Sequence, residues 1–70
     1  MKVIDGGVYV TENGYIVEVK RNSLPHYKFS ANRAKDFSTG EIVKLSEVWA
    51  EDGKAYHNDC GFNFVSQIEF

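Results

Sequence analysis

The stretch Val8-Tyr9-Val10-Thr11-Glu12-Asn13-Gly14-Tyr15-Ile16-Val17 decides the fold. β-Branched and aromatic residues run up to Asn13-Gly14 and resume directly after it. Asx-Gly tolerates positive φ at both central positions of a two-residue loop, which makes it the strongest short-range hairpin signal. With such a loop Val10 faces Val17, Val8 faces Val19 and Glu12 faces Tyr15, on what becomes the core face. Tyr9, Thr11, Ile16, Glu18 and Lys20 then form the opposite, half-polar face. A one-residue slip would exchange the faces, so the register carries the architecture.

A second Asx-Gly pair, Asp52-Gly53, predicts a second hairpin in which Glu51 faces Lys54, Trp49 faces Tyr56 and Ala50 faces Ala55. The residues before it, Glu41 to Ala50, read two ways. As a strand, Val43, Leu45 and Trp49 share a face. As a helix, Ile42, Leu45, Ser46 and Trp49 do, with Ser38-x-x-Glu41 resembling a capping box. The turn that follows favours the strand. Pro25 holds Leu24 extended, and His26 to Phe29 reads as a further strand. From Ser30 to Phe37 the pattern changes: Ser30 can cap a helix, and Ala31, Ala34 and Phe37 recur at helical spacing. Phe62, Phe64, Ile68 and Phe70 alternate with polar residues and predict a C-terminal strand. The expected architecture is mainly β (a β-rich α+β fold): a small antiparallel curved sheet or partly open barrel of two hairpins and a C-terminal strand, with one short helix.

Seventy residues make a single domain, 1–70. A chain of this size buries only about 60% of its unfolded surface. Its ten aromatic residues therefore serve either as core or as contact residues, because they carry large area per side chain. Formal net charge is −2, which argues against unspecific nucleic-acid or membrane binding through a basic surplus. A local basic strip of Lys20, Arg21, Lys28, Arg33 and Lys35 remains available. Cys60 is the only cysteine, so no intrachain disulfide forms, and no apolar run has signal-peptide or membrane-span length. The expected location is cytoplasmic.

His57-Asn58-Asp59-Cys60 is the one cluster of reactive side chains. A Cys60 nucleophile with His57 as base has no oxyanion donor in the pattern, and turn chemistry accounts for the segment as well. His26, His57, Cys60 and Asp59 fall short of the paired Cys/His knuckles of structural zinc. No phosphate-binding or dinucleotide motif occurs. These readings predict no enzyme activity, no metal and no cofactor. A protein-interaction module is favoured instead, with Tyr9, Tyr15, Trp49 and Tyr56 as anchors, since Tyr and Trp dominate interface energetics. One alternative is a single-stranded nucleic-acid binder using Lys20, Arg21, Tyr27, Lys28 and Arg33. Another is a structural subunit of a homo-oligomer.

The hairpin Val8 to Val17, the downstream Val48-Trp49-Ala50-Glu51-Asp52-Gly53-Lys54 and the closing Phe64-Val65-Ser66-Gln67-Ile68 together resemble short phage-encoded β-hairpin accessory proteins. That resemblance implies a phage or prophage protein that binds and inhibits a host protein, such as a defence nuclease. It implies no catalytic residue.

Overall fold

The computed structural model describes Met1 to Glu69. Six antiparallel strands form one open sheet: β1 (Val8–Thr11), β2 (Tyr15–Glu18), β3 (Lys20–Arg21), β4 (Phe29–Asp36), β5 (Ile42–Trp49) and β6 (Phe64–Ile68). β2 and β3 are one strand interrupted at Val19, which instead exchanges backbone hydrogen bonds with the Gly6-Gly7 segment. Together they flank one edge of β4, and β5 takes the other. β6 returns to pair with β1. Among the described residues no helix is present, and none could cross a membrane.

Both hairpin turns are longer than expected. Gly14 N donates to Thr11 O at 3.1 Å, and Gly53 N donates to Ala50 O at 3.0 Å. Gly14 and Gly53 have φ of 85° and 90°, and among the described residues no non-glycine has positive φ. Each Asx-Gly pair thus closes a three-residue loop, a tight turn followed by a left-handed glycine. Thr11 stabilises the first: its hydroxyl donates to Asn13 Oδ1 and accepts from Tyr15 N at 3.1 Å.

The extra loop residue shifts the register by one. Tyr9 faces Val17, Val10 faces Ile16 and Val8 faces Glu18. The faces of β1 are therefore exchanged relative to expectation: Tyr9 and Thr11 are buried, while Val8 and Val10 sit half-buried on the other side. The second turn slips in the same way, so that Trp49 bridges to Ala55 and Tyr56 N donates to Val48 O. Beyond that bridge no ladder follows the turn, so the second expected hairpin is rudimentary.

Of the segment expected as helix, Ser30 to Asp36 is strand and Phe37 opens the following turn. An isolated two-turn helix is marginal in water, whereas β4 gains ladders on both edges. The β4–β5 register is irregular between Ala31 and Arg33, and Asn32 and Arg33 are both exposed there. Ala31 and Ala34 consequently face the core three residues apart, the spacing that imitates a helix. Residues 42–49 form a strand, as the following turn favours. The strand read at His26 to Phe29 shrinks to Phe29, the start of β4, and the C-terminal strand spans Phe64 to Ile68; Phe70 lies outside the described residues.

The core is a stack of three rings. Phe64 lies 4.6 Å from Tyr9 and 4.7 Å from Trp49, nearly parallel to both. Val3, Val17, Val19, Phe29, Ala34 and Ala55 pack around them. The polar tips are satisfied, as buried Tyr and Trp require: Tyr9 Oη accepts from Ile4 N at 2.9 Å, and Trp49 Nε1 donates to Phe62 O at 2.8 Å. Trp49 and Phe64 come from strands at opposite ends of the sheet, so its inner face bends around this stack. No ladder joins β5 to β6 among the described residues.

Candidate functional site on the outer sheet face

Directly paired residues of an antiparallel ladder project to the same face. The register therefore lays out the side of the sheet away from the ring stack. One row crosses five strands: Ser66, Val10, Ile16, Lys35 and Ile42. A second contains Ile68, Val8 and Glu18, with Arg33 paired to Lys44 on the far strands. A third runs Lys20, Ser30 and Val48. Val8, Val10, Ile16 and Ile68 are half-buried, and Ile42 is 61% exposed. This aliphatic band gives way on β4 and β5 to a basic row. At its Lys20 and Arg33 end lies an open groove of about 560 Å³, where Glu18 and Glu47 share the wall with Ser30 and Ser46.

The four aromatic anchors expected from the sequence do not converge. Tyr9 and Trp49 are each 0% exposed in the core and present no surface to a partner in this fold. The register shift at the first turn brings Tyr9 onto the face of Val17, and Trp49 lies inward opposite Phe29 on the face it shares with Val43 and Leu45. Tyr15 is half-buried against Phe62, at 6.0 Å. Tyr56 is 58% exposed and meets Tyr27 edge-on at 5.2 Å and the His57 ring at 4.9 Å.

The expected nucleic-acid set is also divided. Lys20 and Arg33 line the groove. Arg21 lies over the Phe29 ring at 6.0 Å, and its backbone N donates to Asp5 at 2.9 Å. Lys28 pairs with Glu51 at 3.4 Å, and Tyr27 belongs to the Tyr56 cluster. Lys44 and the aliphatic band were missed by sequence reasoning. The signal that finds them is the ladder itself, which a two-residue loop misplaces.

Glu47 and His57 make the one polar cluster of note. The Glu47 carboxylate is 3% exposed; it accepts from Val48 N at 2.9 Å and lies 3.0 Å from His57 Nδ1. This contact pins the loop after the second turn to β5. Cys60 does not join it: its thiol faces Asp59 at 3.7 Å. Desolvation, then the Asp59 charge, raises the thiol pKa, the opposite of what an activated nucleophile needs. Among the described residues no group of three or more His, Cys, Asp or Glu side chains is placed to hold a metal.

No family model, curated protein or solved structure matches this chain.

Proposed function

We propose that the protein is a non-catalytic interaction module that docks a partner protein on the outer sheet face. The observation that supports this reading is the aliphatic band on the outer face, with Val8, Val10, Ile16 and Ile68 half-buried and Ile42 61% exposed. In so small a domain every buried aliphatic adds to a marginal core, so five aliphatics in one band on the opposite face support the reading of an interaction surface. The phage-type hairpin resemblance adds the class of partner, a host protein that the module restrains.

The test is photo-crosslinking in bacterial cells from a benzophenone side chain at Ile42, with the same group at Val65 as control. Val65 is similarly exposed but lies outside the three rows, at the irregularity in the β1–β6 ladder. A discrete adduct from Ile42 and none from Val65 is the expected result. The same adduct should form from a benzophenone at Val10 and be lost when that variant also carries Ile42→Asp. Equal or absent labelling from the two positions rejects this face as the docking surface.

A further inference from the structure

We infer that the partner's contact surface sets carboxylates beside apolar side chains, and that Lys20, Arg33, Lys35 and Lys44 receive those carboxylates. The inference rests on the outer face being a protein-docking surface and names the chemistry that the face selects.

The chain as a whole is acidic, with ten Asp and Glu against eight Lys and Arg. Its outer face is not. The three rows hold four basic side chains and a single acid, Glu18. Acids collect in the turns instead, at Asp5, Glu12, Glu51, Asp52 and Asp59. None of the four basic groups has a carboxylate within 4.0 Å among the described residues; the ion pairs there are Lys28–Glu51 and His57–Glu47. A net-negative chain has thus gathered unpaired positive charge on the same face as its uncovered aliphatics. Complementary potentials of this kind select partners and speed encounter.

The order along the rows narrows the occupant. Lys35 stands between Ile16 and Ile42 in a single row. A partner must therefore offer apolar, acidic and apolar groups in succession to fill it. A nucleic-acid strand fits less well. Its affinity for a sheet face draws on base stacking over aromatic rings, and no aromatic residue occupies any of the three rows. Phosphates would also leave the aliphatic band facing water.

The experiment uses the full chain, isotope-labelled, titrated with three probes: a short peptide alternating Leu and Glu, the same peptide with Gln for every Glu, and a single-stranded oligothymidine of matched charge. The Leu/Glu peptide is expected to shift the methyl signals of Val8, Val10 and Ile16 together with the amides of Arg33, Lys35 and Lys44. It should bind about tenfold or more tightly than the Leu/Gln peptide, and weaken with salt. Lys35→Glu with Lys44→Glu should abolish that preference, and the milder Lys44→Gln should reduce it. Lys54→Glu, beyond the second turn, should leave it intact. Equal binding of the two peptides at these rows overturns the charge inference while the docking face stands. Tighter binding of the oligothymidine overturns it in favour of nucleic acid. If neither peptide moves these signals, both readings fall.

Discussion

Single side chains divide this molecule more sharply than residue type does. Tyr9 and Tyr56 are both tyrosines on hairpin arms, yet one is sealed in the core and the other is mostly in water. Tyr9→Ala is expected to cost about 3–5 kcal/mol, as removal of a large buried ring does, and Tyr9→Phe about 1 kcal/mol, because Ile4 N loses its acceptor. Tyr56→Ala should stay within about 0.5 kcal/mol. Urea denaturation checks all three, and equal costs at the two tyrosines would contradict the register described above. Cys60 makes a second case. Although exposed, its thiol is held protonated by desolvation and Asp59, so alkylation near neutral pH should run slower than for a free cysteine peptide. Asp59→Asn should accelerate it.

At the scale of elements, turns and strands differed in how legible they were. The two Asx-Gly pairs located both turns, and the strand reading of residues 42–49 followed from the second. Loop length was not readable, because Asx-Gly serves both a two-residue loop and a turn closed by a left-handed glycine. The deciding interactions lie outside the local sequence: Thr11 bonds to Asn13 and Tyr15, and Asn13 N donates to Gly61 O at 2.9 Å. β4 was misread for a related reason, since its irregular ladder places Ala31 and Ala34 at helical spacing on one face of a strand. The candidate site inherited these errors: Lys20 and Arg33 were found, whereas Lys44 and the aliphatic band depend on a register that the sequence leaves open.

The two turns should respond differently to a methyl group. A Cβ on Gly14 meets nothing within 4 Å, so Gly14→Ala pays only the left-handed backbone cost of about 1–2 kcal/mol. On Gly53 it would lie 3.2 Å from Phe64 Cβ in the ring stack, and Gly53→Ala should lower the melting temperature further. The β4–β5 turn is held by a carboxylate. Asp36 Oδ1 accepts from Ser38 N at 2.9 Å and from Ser38 Oγ at 2.8 Å, and these bonds hold its pKa below the ordinary 3.8. The folded state therefore binds fewer protons than the unfolded one, and the contribution present above pH 3.8 is lost as pH falls through the depressed value. Asp36→Asn should flatten the acid limb of the stability profile in that window.

For the whole molecule, the open sheet sets both dynamics and manner of association. β1, β2 and β4 are flanked on both sides, whereas β5, β6 and the two-residue β3 each pair with one neighbour. Amide hydrogen exchange is expected to be slow along β1, β2 and β4, and to alternate between slow and fast residues along β5 and β6 as backbone groups face the neighbour or solvent. The two long outer strands, β5 and β6, join their neighbours through irregular ladders, and β5 presents Lys44. Bulges and edge lysines discourage sheet-to-sheet pairing. That favours association through the face rather than through the edges, and works against an edge-paired homo-oligomer.

The sealed position of Trp49 has one more consequence. It is the chain's single tryptophan, fully enclosed between Phe64 and the Phe62 carbonyl. Its emission is expected to be that of an indole without water, blue and shielded from dissolved quenchers until the chain opens. The outer rows lie across the sheet from it, so a docked partner should leave that colour unchanged. The protein therefore carries its own optical gauge of folding, blind to occupancy of the opposite face. A variant that loses its partner without reddening has lost recognition alone.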